Sequence, residues 1–156
     1  MRKLKIYLDT SFISHLYQLD APDKMKDSIA LWDDIMAGEY EAITSEIAIR
    51  ELMKAPESKR AVILKYLENA IFPILPITAE VEELAQEIIQ RGILTARSFN
   101  DCVHIASAIL DDCNIIVSWN FNDLVNFRTI QGIREITISR FYKPIDIYSP
   151  PSFRRR

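Results

Sequence analysis

Two runs, Ile6-Tyr7-Leu8 and Ile115-Ile116-Val117, do most to limit what this chain can become. Each is a short, uninterrupted series of β-favouring apolar residues. A strand with one wet face alternates apolar and polar side chains, so these read as strands covered on both faces. Such strands need helices above and below them, and the intervening sequence supplies the pattern. Met25, Ile29, Trp32, Ile35 and Met36 recur at helical spacing between Lys24 and Ala37, with Gly38 as a stop. A short helix is expected after Asp9 through about Tyr17, capped by the hydroxyls of Thr10 and Ser11. Further helices are expected over about 45–54 with Ser45 as cap, 58–69, 78–91 with Thr78 as cap, 98–112 and 129–141. Tyr40 to Thr44 and Ile145 to Tyr148 read as further strands. Ile71 to Ile77 is interrupted by Pro73 and Pro76, which predicts an edge strand or an extended connector. Alternation of short buried strands with helices predicts an α/β domain with a mostly parallel sheet. In such sheets the active site lies beyond the carboxyl ends of the strands.

The chain has 156 residues, which suits one domain; the reading takes 1–150 as that domain and 151–156 as a basic, mobile tail ending in Arg154-Arg155-Arg156. With 49% apolar residues there is enough material for a core. The formal charge is −3, from 19 basic and 22 acidic residues, so bulk charge offers no attraction to a phosphate backbone. Any nucleic-acid chemistry must come from a local site. Cys102 and Cys113 are too few for a disulfide scaffold. On one helix they would stand roughly 16 Å apart, too far to bridge. They are read as small buried hydrophobes in a reducing compartment, and the chain as cytoplasmic, with neither signal peptide nor membrane span.

Polar residues collect where the strands end. Asp9 closes the first strand, where a desolvated carboxylate needs a helix to cap, a basic partner or a bound cation. Asp101 follows Ser98 by three residues, as in a capping box, and an acid in a first helical turn also complements the dipole. Glu51 taken alone is a solvated helix-border glutamate. Asn120 and Asp123 lie in the loop after Val117, where such residues usually serve turns. The α/β reading nonetheless brings that loop to the same sheet edge as Asp9. Several oxygen donors on one rim suit a hard ion such as Mg²⁺ or Mn²⁺, whereas no His/Cys spacing suits zinc. His15 and His104 are the only histidines; His104 lies one turn after Asp101 and could touch the site, but a packing role on its helix is the simpler reading. No serine-hydrolase elbow, phosphate loop or dinucleotide fingerprint is present.

Taken in order, these segments resemble the PIN-domain family, and in particular the VapC-like bacterial ribonucleases. Ile6-Tyr7-Leu8-Asp9-Thr10-Ser11-Phe12 resembles the first family motif, a strand ending in Asp followed by Thr/Ser. Thr44-Ser45-Glu46 through Arg50-Glu51-Leu52 resembles the second, with the acid at Glu51 and Glu46 as a competitor on the same helix. Asn100-Asp101-Cys102-Val103-His104-Ile105-Ala106-Ser107-Ala108 resembles the third, and Val117-Ser118-Trp119-Asn120-Phe121 the fourth, where many members carry Asp and some Asn. Ile145 to Pro150 resembles the final strand and its proline exit.

The resemblance implies a three-layer α/β/α domain and hydrolysis of RNA phosphodiesters with Mg²⁺ or Mn²⁺. It implies Asp9, Glu51, Asp101 and Asn120 as metal-site residues, with Ser11 and Asp123 in support. Asn120 brings no charge, which weakens a second metal position more than the first. The resemblance further implies the toxin of a type II toxin–antitoxin pair, a small antitoxin partner and a homodimer. The stripe Ile29, Trp32, Ile35 and Met36 is a possible partner face, though such stripes are more often core. Arg50, Lys54, Arg97, Arg128 and the tail arginines are candidates for steering RNA. Two rivals remain open: a non-catalytic PIN-fold RNA-binding or assembly module, suggested by Asn120, and a phosphatase with Asp9 as nucleophile. The second lacks the usual Asp two residues on, where this chain has Ser11.

Overall fold

The computed structural model describes residues 2–154, so Arg155 and Arg156 of the expected tail lie outside the described residues. Five strands, β1 (Lys5–Leu8), β2 (Glu41–Ser45), β3 (Ile74–Leu75), β4 (Ile115–Val117) and β5 (Asp146–Tyr148), form one sheet in the order β3-β2-β1-β4-β5. Every pairing is parallel. The helices are α1 (Thr10–Ser14), α2 (Pro22–Met36), α3 (Glu46–Leu52), α4 (Glu57–Glu68), α5 (Ala79–Gln90), α6 (Phe99–Leu110) and α7 (Phe127–Ser139).

Register explains why the strands are apolar throughout. Tyr7 pairs with Ile43 and Ile116, and Ile116 with Ile147. These four side chains fall on one face and pack with Val81, Leu84 and Ile88 of α5 and Cys102, Ile105 and Ile109 of α6. Their strand neighbours Ile6, Leu8, Ala42, Ile115 and Val117 point the other way, into a second core with Phe12, Leu31, Trp32, Ile35 and Ile63. The result is the three-layer α/β/α arrangement, with a core on each side of the sheet. Helix α6 is buried continuously from Cys102 to Ile109, as expected of a helix that is apolar nearly all round. Full burial of each large side chain in it contributes about 1.5–3 kcal/mol. Gly132 allows α7 to approach closely, because a Cβ there would meet Ile93 Cγ1 at 2.6 Å.

Several local expectations give way. Helix α1 is capped by the Asp9 carboxylate, which accepts from the Phe12 N–H, and not by Thr10 or Ser11. Ser45 and Ser98 make no capping bond, because tertiary partners take both hydroxyls. Cys113 lies beyond the end of α6, and both cysteines are free and buried. Trp32 and Ile35 of the α2 stripe belong to the core, which leaves no continuous partner face there. The start of the tail is ordered by contacts. Residues Pro150–Phe153 form a 3-10 turn, Phe153 packs edge-on against Tyr40, and Arg154 pairs with Asp27 at 2.6 Å. Among the described residues no helix is long and apolar enough to cross a membrane.

Candidate active site

The sheet order reverses between β1 and β4, and crevices form at such points outside the carboxyl ends of strands. Leu8 and Val117 are the last register pair of these strands, so Asp9 and Ser118 leave the sheet side by side. Asp9 is only 3% exposed. Its Oδ1 accepts from the Phe12 N–H at 2.9 Å, the Ser11 hydroxyl reaches both oxygens at 2.8 and 3.0 Å, and the Ser118 hydroxyl donates to Oδ2 at 2.5 Å. Ser11 in turn accepts from the Trp119 N–H at 2.8 Å, which ties the loop after β4 to α1. Among the described residues Asp9 has no ion pair. Burial pushes its carboxyl above the usual range, outweighing nearby His104 and the three donors.

Asp101 sits in the first turn of α6, facing the loop after β4. The Asn120 amide nitrogen donates to its Oδ2 at 3.4 Å, and the Asn120 carbonyl oxygen accepts from the Asp123 N–H at 3.0 Å. Asp123 is turned inward, with its carboxyl within hydrogen-bonding reach of Asp101, and its Oδ2 also accepts from the Ser98 hydroxyl at 3.2 Å. Burial first, then the proton shared with Asp123 and the negative charges of Asp123 and Asp9, push the Asp101 carboxyl up to about 7 against the pull of His104.

Glu51, near the end of α3, is held differently. Its Oε1 accepts from the Thr10 hydroxyl at 2.6 Å and from His104 Nε2 at 2.8 Å. His104 Nδ1 then lies 2.6 Å from the Tyr7 hydroxyl, itself 2.7 Å from the buried Ser45 hydroxyl. One proton arrangement satisfies all of them: Ser45 donates to Tyr7, Tyr7 to His104 Nδ1, and His104 Nε2 to Glu51. Desolvation opposes the Glu51 charge, but the hydrogen bonds from His104 and Thr10 outweigh it and hold the carboxyl below the usual range.

Each acid expected from the sequence thus reaches the carboxyl edge of the sheet, in three adjoining settings. Among the described residues, no three His, Cys, Asp or Glu groups stand close enough to grip one ion together. The donor chemistry still fits a hard divalent cation. The donors are oxygens, Asp9 is buried and Asp101 half-buried with no salt bridge to either among the described residues, and desolvation followed by like charge raises the Asp101 carboxyl. Mg²⁺ in particular keeps several waters and is often held by one or two carboxylates, so a closed cage is not required. Asn120 serves as a donor to Asp101, with its own oxygen engaged by the backbone.

The sequence reading missed the Tyr7–His104–Thr10 network and Ser118. Tyr7 carried a signal, because a tyrosine inside a doubly covered strand must find a partner for its hydroxyl. His104, one helical turn after Asp101, is such a partner, not mere packing. Ser118 became visible only with the β1–β4 register.

A family profile described as PIN domain matches residues 6–123. No curated protein matches the chain significantly in sequence. Among solved structures, the fold is similar to a chain of VapBC2 from Rickettsia felis bound to a DNA fragment from their promoter. The TM-score is 0.56 at 17% identity, covering 94% of this chain and 98% of that one.

Proposed function

Since the chain belongs to the PIN-domain family, whose members are generally nucleases, we propose that it is a Mg²⁺- or Mn²⁺-dependent endoribonuclease. The observation that carries this reading is the buried Asp9 and the half-buried Asp101, which feel each other's charge at the sheet's switch point with no salt bridge to either among the described residues. Asp9, Asp101 and Glu51 would hold the ion directly or through water, with Asp123 adding charge. What the bound ion supplies is neutralisation of the phosphate and a more acidic attacking water.

The chain's own groups do the rest. Ser11 and Ser118 fix both Asp9 oxygens, and the Phe12 N–H sets the rotation of the carboxylate. The His104 and Thr10 bonds hold the Glu51 carboxylate ionised and fixed in orientation, as a ligand of the ion or of its water must be. The Asn120 amide steadies Asp101 and fixes the loop after β4 against α6. Attack of water forms one P–O bond and breaks another, and the leaving ribose oxygen takes up a proton.

Asp9→Asn and Asp101→Asn are expected to abolish Mg²⁺-dependent cleavage of RNA while far-UV circular dichroism stays unchanged. Undiminished cleavage by both variants would sink the assignment. The likeness to VapBC2 supports a finer reading, in which this chain is the toxin of a type II pair, homodimeric and blocked by a small antitoxin. Two free, buried cysteines suit the reducing cytoplasm such a toxin acts in. Expression of the chain should arrest growth, and the product of a small adjoining reading frame should relieve the arrest and co-purify with it. Growth unaffected by the intact chain would remove the toxin role.

A further inference from the structure

Beside the acidic crevice, towards α1 and α2, lies a corner of opposite character. The Trp119 ring is pinned by its indole N–H, which donates to Ser28 Oγ at 2.8 Å, and is only 6% exposed. Phe121, two residues on, stands edge-on to it with centroids 6.2 Å apart and planes at 66°, yet is 47% exposed. Lys24 Nζ lies over both rings, at 5.4 Å from the Trp119 centroid and 5.6 Å from that of Phe121. Lys24 forms no salt bridge among the described residues. His15 packs against Trp119 at 5.8 Å, and its Nδ1–H donates to the Ser11 carbonyl at 2.7 Å. Both Lys24 and Lys59 act electrostatically on His15, while Lys59 hydrogen-bonds Gln18 and feels the Asp20 carboxylate. Two lysines thus stand at this corner, and of the two it is Lys24 that lies over the rings.

Several features separate this corner from an incidental exposed ring. Phe121 belongs to the loop whose preceding residue, Asn120, bonds Asp101. Consecutive Cα atoms are about 3.8 Å apart, so the platform adjoins the acids. The ring is braced by Trp119 but left half exposed, and the Lys24 ammonium lies over it at 5.6 Å from the centroid, on a side chain long enough to swing aside to an anion. That combination suits a flat π-system stacked on Phe121 and an anion against Lys24. A base paired within a duplex has no free face to offer, whereas an unpaired one does.

We infer that Trp119, Phe121 and Lys24 form a subsite for one unpaired nucleobase and its neighbouring phosphate, next to the acids of the crevice. The inference rests on the ribonuclease reading for its biological meaning, but its binding test needs no catalysis. In EDTA, so that nothing is cleaved, fluorescence anisotropy follows a labelled unstructured oligouridine with the full chain. Phe121→Ala is expected to weaken binding about tenfold, in keeping with loss of one stacked base, and Phe121→Trp to restore it. Lys24→Ala weakens both this oligomer and an abasic analogue, whereas Phe121→Ala leaves the abasic analogue unchanged. A duplex is insensitive to Phe121→Ala. In cleavage assays with metal, Phe121→Ala raises KM with kcat little altered. Oligouridine binding unchanged in both Phe121→Ala and Lys24→Ala overturns the subsite, and would leave the corner free for an acidic partner peptide instead. Binding that responds as expected while the wild-type chain never cleaves RNA keeps the subsite and removes the nuclease reading.

Discussion

Asp9 and Asp101 are the same residue type, each at the beginning of a helix and each largely withdrawn from water, but their surroundings differ. Asp9 is met by a backbone N–H and two hydroxyls, all fixed by β1, α1 and the end of β4. Asp101 is met by one long amide contact and by a second acid, Asp123. A donor-rich setting makes a carboxylate part of the framework, because fixed backbone and hydroxyl donors stand in for part of its lost water. An acid-rich setting leaves unbalanced charge that an external cation can relieve. The candidate site therefore has a rigid half and a responsive half.

Removal of the rigid half should cost most. Asp9→Ala strands the Phe12 N–H and the Ser11 and Ser118 hydroxyls in a buried space, and is expected to destabilise the fold by about 3 kcal/mol in urea titrations. A cost below about 1 kcal/mol would erase the contrast. Asp101→Asn should act in the opposite direction. With a folded carboxyl near 7 against an ordinary value of 3.8, the native state binds the proton more tightly than the unfolded chain. Wild-type stability is then lost as pH rises from about 4 through 7, and Asp101→Asn is expected to be more stable by about 2 kcal/mol at pH 8, with the gain gone by pH 4. The same variant should lose the rise in melting temperature that Mn²⁺ gives the wild type. A pH-independent difference would show that the charge of Asp101 is not the cause.

Ser118→Ala tests one donor of the rigid half and should cost about 1.5 kcal/mol, read by thermal unfolding, since the bond it removes is to a charged group. The smallest effect is expected from Asn120→Asp. A further carboxylate beside Asp101 should lower stability at pH 8 by about 1 kcal/mol and tighten Mn²⁺ binding several-fold by calorimetry. Unchanged metal affinity would place the ion away from this corner.

Much of this was legible early. The doubly covered strands followed from Ile6-Tyr7-Leu8 and Ile115-Ile116-Val117, because uninterrupted apolar runs tolerate no wet face. The positions of Asp9, Glu51, Asp101 and Asn120 at the sheet's carboxyl edge followed from the alternation of elements and from the motif resemblance. Capping was misread at Thr10, Ser45 and Ser98, since local propensity cannot see that Glu51, Tyr7 and Asp123 compete for those hydroxyls. The ordered turn at Pro150–Phe153 was missed for a related reason: Tyr40 and Asp27, which hold it, are distant in sequence.

The sequence by itself determined which residues are buried in strands and in what order the elements come, because these depend on periodicity and spacing along the chain; the acids that reach one rim were picked out by the resemblance to the family's motifs. Only the tertiary structure decided which acid is surrounded by donors and which stands beside another acid. That difference rests on groups brought from elements tens of residues away: the donors Ser118 to Asp9 and His104 to Glu51, but a second acid, Asp123, to Asp101. The charge state of a carboxylate is set by its three-dimensional surroundings, and those do not exist until the sheet has closed.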